Sequence, residues 1–254
     1  MIWHSAQRSA TYECLLVNTP WAKSPGIIAF TGGGLARESG FAPFDPATMP
    51  PGLSLEELVT PQGFARDRER VQRFYNSRRR ELLRTAPNDA HQALAVLDSV
   101  RKREVLIVTR NIDDLHERAG SQAVIHTHGE LLKARCTICT NASERTDDIT
   151  LDSQCPVCGN AGHLRPHVVW VGEEPLRVAR VYEGLAHCAL FLAIGAPGGG
   201  EPARSFLAAA KRAGARTVEF NAEAPPDDAA YDERIYGKLT ETVPEYVKQL
   251  IAAG

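Results

Sequence analysis

The sequence lacks the features of a membrane or secreted protein. None of its apolar runs approaches the ~20 residues that a membrane span requires. The first 24 residues are interrupted by polar side chains such as His4, Arg8 and Glu13, where a secretion signal would be continuously apolar. Cysteine is scarce as well: six in 254 residues are too few for a fold that depends on disulfides. We therefore expect a cytoplasmic protein that does not enter membranes.

An excess of charge of one sign is also lacking. Lys and Arg total 29 against 31 Asp and Glu, a formal net charge of −2, so no overall field attracts nucleic acid or an anionic surface. Hydrophobic residues make up 43% of the chain and charged residues 24%, which is ordinary for a globular protein with a buried core. A length of 254 residues suits one large domain, or one domain that carries a smaller insert. The composition specifies no oligomeric state.

Short apolar runs alternate with helical patterns along the chain. Four runs rich in Ile, Val, Leu or Phe predict strands that are covered on both faces: 26–31, 104–109, 189–195 and 215–221. Apolar residues at helical spacing predict helices between or after them: 88–99, 201–213 and about 243–252. This alternation predicts an α/β fold, a doubly wound parallel sheet whose ligands bind at the carboxyl ends of the strands.

Two segments interrupt that alternation. Residues 46–87 begin as a loop rich in Pro and Gly and continue into a basic helix over 66–84, while residues 133–163 are polar and hold four cysteines. We expect both to be inserts that together build a smaller domain. The predicted division is a sheet domain of 25–45, 88–132 and 164–254, a smaller domain of 46–87 and 133–163, and an N-terminal extension of 1–24.

The four cysteines form two closely spaced pairs. Cys136 and Cys139, and then Cys155 and Cys158, are each separated by two residues, with fifteen residues between the pairs. Each pair can present two thiolates to one point, and two pairs complete the tetrahedron that structural zinc prefers. We expect one structural Zn²⁺ per chain; the alternative is two reduced or redox-active pairs. Cys14 and Cys188 are expected to be small buried residues.

A glycine-rich loop follows the first predicted strand. Residues 31–40 are Thr-Gly-Gly-Gly-Leu-Ala-Arg-Glu-Ser-Gly. Glycines at a strand end let the backbone approach a diphosphate, and the helix that follows offers N–H groups to it. Arg37 stands where the third glycine of a standard dinucleotide motif belongs, so a plain tight turn is the alternative.

Further motifs follow in a fixed order, and together they resemble the sirtuin family. They are Thr-Arg-Asn-Ile-Asp-Asp-Leu-His at 109–116, His-Thr-His-Gly-Glu-Leu at 126–131, the cysteine pairs, Arg-Pro-His-Val-Val-Trp-Val-Gly-Glu at 165–173 and Glu-Phe-Asn at 219–221. The resemblance runs from about residue 26 to the C-terminus. It implies a Rossmann-like sheet, a smaller domain with a helical module and a zinc ribbon, and an NAD-dependent protein lysine deacylase. Such an enzyme acts on acylated lysine and releases nicotinamide and O-acyl-ADP-ribose.

The resemblance also implies roles for particular residues. His128 matches the histidine that activates a ribose hydroxyl, and a neutral imidazole suits a general base near neutral pH. Asn111 and Asp113 match residues that position nicotinamide and its ribose; from the residues alone they could equally form a turn or cap, although Asp114 is the better cap candidate. His116 and His126 are expected to be core or surface residues. The implied cofactor-binding residues are Gly32, Gly33, Gly34, Glu38, Phe44, Arg110, Asn111, Ile112, Asp113, Gly195, Ala196, Asn221 and Leu239.

The basic helix resembles one branch of that family in particular. Residues 74–80 (Phe-Tyr-Asn-Ser-Arg-Arg-Arg) and 60–64 (Thr-Pro-Gln-Gly-Phe) are similar to the class III branch, which removes acidic acyl groups such as succinyl and malonyl. Tyr75 and Arg78 share a helix face and could hold a carboxylate together. The alternative is a solvated face, since residues 66–84 hold eight Arg against three acidic residues. The other implied substrate-binding residues are Val169, Val171 and Gly172.

Several positions depart from the family pattern. Where the family has Ser, Ala, Arg and Gln, this chain has Ala36, Arg37, Asp45 and Arg110; it also has Ala196-Pro197 for Thr-Ser, Val171 for Phe and Val59 for Ala. Asp45 would place a negative charge near the diphosphate, and Arg37 or Arg110 could restore the positive charge. Two alternatives to deacylation therefore stay open: a divergent sirtuin acting as an NAD hydrolase or ADP-ribosyltransferase, and a catalytically weak module that binds NAD or ADP-ribose.

Overall fold

The structure is a computed structural model that describes residues 26–41, 54–101, 104–196, 200–226 and 229–253. Within these ranges the strands are β1 (Ile27–Thr31), β2 (Val105–Thr109), β3 (Val124–His126), β4 (Gly129–Cys136), β5 (Ala142–Glu144), β6 (Leu164–Val168), β7 (Leu190–Ile194), β8 (Arg216–Asn221) and β9 (Glu233–Tyr236). The helices are α1 (Gly33–Arg37), α2 (Leu55–Leu58), α3 (Pro61–Arg66), α4 (Arg68–Arg84), α5 (Asp89–Val100), α6 (Leu115–Ala119), α7 (Val178–Leu185), α8 (Ala203–Arg212) and α9 (Leu239–Ala252). The predicted extension 1–24, with Cys14, lies outside the described residues, as do Phe44, Asp45 and Pro197.

The main sheet is parallel throughout, in the order β3-β2-β1-β7-β8-β9. Its four central strands are the four that the apolar runs predict. These strands are almost entirely buried because helices cover both faces. Their side chains must therefore be apolar, or their polar atoms must have a partner within the protein. The prediction of a parallel sheet is therefore confirmed, and β3 and β9 extend it at its two edges.

Two apolar layers sandwich this sheet. On one face α5 and α9 pack through residues such as Leu94, Leu97 and Val243. On the other face α7 and α8 pack through residues such as Val181 and Phe206. Helices on both faces make the sheet doubly wound, so a ligand is expected at the carboxyl edge of the strands, where the chain leaves β1, β2, β7 and β8.

The basic helix predicted over 66–84 corresponds to α4, and Arg66 instead ends the separate helix α3. Asp67 separates them, because its backbone leaves the helical region at φ −147° and ψ 79°. Its carboxylate accepts the Arg70 N–H at 2.9 Å and so caps the start of α4. The predicted final helix also begins earlier, at Leu239, because the Glu38 carboxylate accepts the N–H groups of Leu239 and Thr240 at 2.7 and 2.8 Å.

The helical module and the cysteine-bearing sheet are in direct contact. That second sheet has the order β5-β4-β6 and is antiparallel. The Asn76 side chain exchanges two hydrogen bonds of 2.9 Å with the backbone of Ile149, and Gln72 donates to the Leu164 carbonyl at 2.7 Å. These bonds join α4 to the segment before Cys155 and to the segment after Cys158. No helix within the described ranges is long and apolar enough to cross a membrane.

Candidate functional site

The glycine-rich loop packs against the carboxyl end of β7. A Cβ atom at Gly34 would lie 2.9 Å from the Gly195 Cα, and one at Gly32 would lie 2.7 Å from the Ala196 Cβ. Side chains are therefore excluded at both loop positions. The Gly32 and Gly34 N–H groups donate to the carbonyls of Ile194 and Gly195 at 3.0 Å, so these two amides are already bonded within the protein. The glycines therefore allow close approach of the loop to β7.

Two cavities open at this edge of the sheet. The glycine-loop cavity, of about 940 Å³, is lined by Gly32–Gly34, Gly195, Ala196, Asn221, Leu239 and the segment that follows β8. The α4 cavity, of about 500 Å³, lies between α4 and the segment that follows β6. Four residues line both cavities: Gly33, Arg110, Asn111 and His128. The two spaces therefore meet at the end of β2, beside the His128 ring.

The described residues that the sequence assigns to a site line these two cavities. In the glycine-loop cavity lie Gly32, Gly33, Gly34, Glu38, Arg110, Asn111, Gly195, Ala196, Asn221 and Leu239. In the α4 cavity lie Tyr75, Arg78, Ile112, Asp113, Val169, Val171 and Gly172. Ile112 and Asp113 therefore face the second cavity and not the glycine loop. Glu38 lines the first cavity, but its two carboxylate oxygens accept the amides that begin α9, which gives it a structural role.

His128 is half-buried at the junction of the cavities. Burial, together with the nearby Arg110 guanidinium, lowers the pKa of His128 to about 4. The ring is therefore neutral at pH 7 and can accept a proton. Its Nδ1 atom lies 2.9 Å from the Thr127 Oγ1 atom, which fixes the plane of the ring.

Arg110 supplies positive charge at the same junction. Its backbone N–H donates to the Thr31 carbonyl at 3.0 Å, but its guanidinium has no hydrogen bond or ion pair with any described residue. Burial lowers the pKa of Arg110, as expected for a cation that lacks a counter-charge. A buried guanidinium of this kind favours an anionic ligand, because the charge of the anion would compensate for the hydration that burial has removed.

Two buried polar atoms, one in the lining of each cavity, have no partner among the described residues. Asp113 is 1% exposed; its Oδ1 atom accepts the Leu115 N–H at 3.2 Å, and its Oδ2 atom has no hydrogen bond among the described residues. The Asn221 Nδ2 atom is likewise buried and unpartnered. Burial raises the pKa of Asp113 to about 6, against the lowering effect of the Leu115 N–H and of His126. A polar ligand with hydroxyl or amide groups would satisfy both atoms.

The capping prediction for Asp114 is wrong. Asp114 occupies the position before α6, but its side chain makes no capping bond, and Asp113 bonds the Leu115 N–H instead. The Asp114 carboxylate lies 3.7 Å from the Arg118 guanidinium, one helical turn along. Asp113, which the family resemblance assigns to the site, therefore also caps the start of α6.

Asn111 is held in place by two neighbours. Its side-chain amide donates to the Gly32 carbonyl at 3.0 Å, which ties the end of β2 to the glycine loop. Its own carbonyl lies 3.1 Å from the Nδ1 atom of His126, whose Nε2 atom lies 2.8 Å from a Glu117 carboxylate oxygen. Burial lowers the pKa of His126, but Glu117 outweighs that effect and the net shift is upward. His116 is completely buried beside Thr31, so both histidines are core residues, as expected.

The α4 cavity has an aromatic wall that the sequence analysis missed in part. Trp170 donates from Nε1 to the Tyr75 hydroxyl at 2.9 Å, and Phe41 lies 4.1 Å from the Arg78 guanidinium. Burial raises the pKa of Tyr75, so its hydroxyl stays protonated and can donate. Val171 is 69% exposed at the mouth of the cavity. Trp170 lies inside the motif of 165–173, which was the signal that could have identified it.

The loop after β8 was also missed. Ala222, Glu223, Ala224, Pro225 and Pro226 line the glycine-loop cavity. They follow Asn221 at the carboxyl end of a central strand, where ligands of parallel sheets bind. The rule that ligands bind at the carboxyl ends of parallel strands, applied to every predicted strand, would have identified these five residues.

The four cysteines of the two pairs come together as predicted. The Sγ atoms of Cys136 and Cys158 are 3.7 Å apart, those of Cys139 and Cys155 are 3.6 Å apart, and all four lie within 4.8 Å of one another. Four sulfurs at ~2.3 Å from one zinc ion would be roughly 3.8 Å apart in a tetrahedron. The geometry fits Zn²⁺ with no open coordination position. Cys188 is buried elsewhere, in the sheet core, as expected.

Comparisons with known proteins agree with this geometry. The model of the Sir2 family matches residues 32–201. The chain is 42% identical over 235 residues to an NAD-dependent protein deacylase of Yersinia pseudotuberculosis, covering 90% of this chain and 84% of that protein. It is 43% identical over 232 residues to an NAD-dependent protein deacylase of Vibrio vulnificus, covering 89% and 94%. A solved Sir2 homologue in complex with NAD is 34% identical, with a TM-score of 0.81, covering 89% of this chain and 90% of that one.

Proposed function

This chain belongs to the Sir2 family, and from that premise we propose that it is an NAD-dependent protein deacylase acting on acylated lysine. One observation carries the proposal: a glycine-lined cavity and an aromatic cavity meet at His128, Asn111 and Arg110. A nucleotide in the first cavity and an acylated side chain in the second would be joined at a neutral imidazole. A deacylase that uses NAD needs this arrangement.

The residues that line the two cavities fit NAD. The unpartnered Asp113 Oδ2 and Asn221 Nδ2 atoms match hydroxyl and amide groups of a dinucleotide, and Gly32 and Gly34 keep side chains away from the loop. When bound, NAD supplies the ribose carbon that takes the acyl oxygen and the nicotinamide that leaves.

The chain's own residues have separate roles in this proposal. His128 accepts a proton from a ribose hydroxyl, because its low pKa keeps it neutral at pH 7. Asn111 and Asp113 orient the ligand, while Arg110 binds a phosphate oxygen and so replaces the arginine that the family has at Asp45. The exposed Val171 and the neighbouring Val169 and Gly172 hold the substrate at the mouth of the α4 cavity.

The α4 cavity suits an acidic acyl chain. Tyr75 presents a protonated hydroxyl and Arg78 a guanidinium to one cavity, and the aromatic rings of Trp170 and Phe41 fix their positions. A carboxylate at the end of the acyl chain could accept from both groups. We propose succinyl-lysine or malonyl-lysine as the preferred class of substrate, with acetyl-lysine as a poorer one.

Structural zinc supports the smaller domain. The two inserts, 46–87 and 133–163, are proposed to form one unit, because Asn76 and Gln72 of α4 bond directly to the zinc-bearing segment. A cytoplasmic location is also proposed. None of the described cysteines forms a disulfide, and a reducing compartment preserves thiolates for zinc.

Nicotinamide release with and without acylated peptide tests the function. We expect release that depends on the peptide, with a succinyl-lysine peptide better than the same sequence carrying acetyl-lysine. Release that is equal without peptide would identify an NAD hydrolase. If no nicotinamide is released under either condition while NAD still binds, the chain is a binding module and the proposal is wrong.

A further inference from the structure

The Thr127 hydroxyl lies between the end of β2 and the His128 ring. Thr127 is completely buried, and its Oγ1 atom is 2.9 Å from the Thr109 carbonyl oxygen and 2.9 Å from the His128 Nδ1 atom. A carbonyl can only accept, so the 2.9 Å contact with Thr109 requires the hydroxyl hydrogen. A hydroxyl has one hydrogen. Toward His128, therefore, the Thr127 oxygen can only accept.

This bond determines where the ring proton of His128 lies. The imidazole is neutral at pH 7, so it carries one N–H group, at Nδ1 or at Nε2. Because the Thr127 oxygen accepts, the proton is on Nδ1. The Nε2 atom keeps its lone pair and makes no hydrogen bond with any described residue. It is the nitrogen able to act as a base.

The threonine itself has little freedom to move. Its backbone N–H also donates to the Thr109 carbonyl, at 2.9 Å, so one carbonyl oxygen holds both the amide and the hydroxyl of Thr127. Rotation of the side chain away from His128 would break the hydroxyl bond of a completely buried residue, at the cost of an unsatisfied donor. The acceptor that faces the ring is therefore fixed before any ligand binds.

We propose that Thr127 is a positioning residue that keeps His128 in the tautomer with a basic Nε2 atom. A base at His128 is needed only if the proposed deacylation takes place, so the catalytic meaning of this inference rests on the proposed function. The tautomer itself does not depend on it, and the two can be tested separately.

Nitrogen-15 NMR of the imidazole at pH 7.5 measures the tautomer directly. In the wild type we expect His128 to carry its proton on Nδ1. Thr127→Val keeps the shape but removes the acceptor, so the Nε2–H form should become populated and kcat should fall about fivefold to tenfold. Thr127→Ser restores the hydroxyl and should restore both the tautomer and kcat. The affinity for ADP-ribose should not change in either variant.

A matched control uses the other buried threonine–histidine pair. Thr31 Oγ1 lies 3.0 Å from His116 Nε2, and neither residue lines the glycine-loop cavity or the α4 cavity. Thr31→Val should lower stability in a similar way while leaving the His128 tautomer and kcat unchanged. A wild-type His128 protonated on Nε2, or a Thr127→Val protein with an unaltered tautomer, would overturn the inference. A confirmed tautomer in a protein with no deacylase activity would instead refute the proposed function alone.

Discussion

Arg78 and Glu81 lie one turn apart on α4, and the Arg78 Nη1 atom donates to a Glu81 carboxylate oxygen at 2.6 Å. Arg78 lines the α4 cavity, whereas Glu81 does not. Burial lowers the pKa of Arg78 and the charge of Glu81 opposes that effect. Glu81 therefore competes with any substrate carboxylate for the same guanidinium.

Removing that competition should favour acidic acyl groups. We expect Glu81→Gln to raise kcat/KM for a succinyl-lysine peptide about twofold to fivefold, the scale of a partly exposed ion pair, and to leave deacetylation unchanged. Arg78→Met should do the opposite and lower desuccinylation by roughly 10- to 100-fold, the scale of a charge-assisted hydrogen bond. Parallel assays on succinyl and acetyl peptides measure both effects.

Glu69→Gln is the control for this pair. It breaks the Arg73–Glu69 ion pair on the same helix, where both side chains are more than 60% exposed, and neither residue lines the cavity. Both activities should stay at wild-type values. Equal changes on the two peptides in Arg78→Met would mean that Arg78 serves the helix and not the acyl chain.

Zinc should be stoichiometric and necessary for the smaller domain. Cys155→Ser removes one of four ligands, and since metal binding energy in such a site is folding energy, we expect loss of the metal and of the β4–β6 sheet. Elemental analysis and thermal unfolding measure the two losses. Cys188→Ala, which removes a thiol from the sheet core, should keep one zinc per chain. A chelated protein that melts at the wild-type temperature would contradict the structural role.

The sequence predicts the central sheet and most of the site for physical reasons. Strands covered on both faces must be apolar throughout, so β1, β2, β7 and β8 stand out as continuous runs. The edge strands β3 and β9 are short and partly exposed, and they give no such signal. The candidate site residues stand in ordered motifs at strand ends, which is why the sequence singles them out.

Other features depend on contacts between distant parts of the chain. Glu38 caps α9 across about 200 residues, which moves the start of that helix to Leu239 and engages both Glu38 carboxylate oxygens. No local pattern in the sequence encodes these interactions.

His128→Ala should abolish deacylation while leaving the fold intact. Loss of a positioned base lowers the rate by ~10²–10⁴. His128 is only half-buried and its ring makes one hydrogen bond within the described structure, so the melting temperature should change little. Single-turnover assays and calorimetry with ADP-ribose separate catalysis from binding. Turnover at the wild-type rate would exclude His128 as the base.

Arg110→Gln tests the proposed phosphate contact. We expect the affinity for ADP-ribose to fall roughly 10- to 100-fold, because a charge-assisted hydrogen bond to an anion is lost. ADP, which keeps the diphosphate and lacks the second ribose, should lose affinity by the same factor. The pKa of His128 should rise from about 4 toward its ordinary value, which moves the acidic limb of the rate profile to higher pH.

Arg212→Gln is the control for Arg110→Gln. It removes the same positive charge at an exposed position at the end of α8. It should alter neither ADP-ribose affinity nor the His128 titration. A selective loss for ADP-ribose, with ADP unaffected, would place Arg110 on the ribose and not on the diphosphate.

The His126–Glu117 pair should make stability depend on pH above neutrality. The pKa of His126 is raised in the folded protein, so its stabilisation is present below the unfolded value of about 6.5 and is lost as the pH rises through the folded value. Asp113, Glu130 and His116 also face this ring. The pKa of Asp113 is about 6, so its titration overlaps the lower end of the window above pH 6.5, whereas the pKa of His116 is lowered by burial and the net pKa shift of Glu130 is downward.

Glu117→Gln removes the group that raises the His126 pKa. At pH 6 we expect the variant to be less stable than the wild type by about 1–2 kcal/mol, at the low end for a hydrogen bond between charged groups because Glu117 is 41% exposed. Denaturant unfolding at pH 6 and pH 8.5 should show this difference shrinking as His126 loses its proton, while histidines common to both proteins cancel. Glu183→Gln, which breaks the exposed Arg180–Glu183 pair, should show no such pH dependence. If the stability curves of wild type and Glu117→Gln run parallel between those pH values, His126 is neutral in the fold and Asn111 is held by a neutral hydrogen bond.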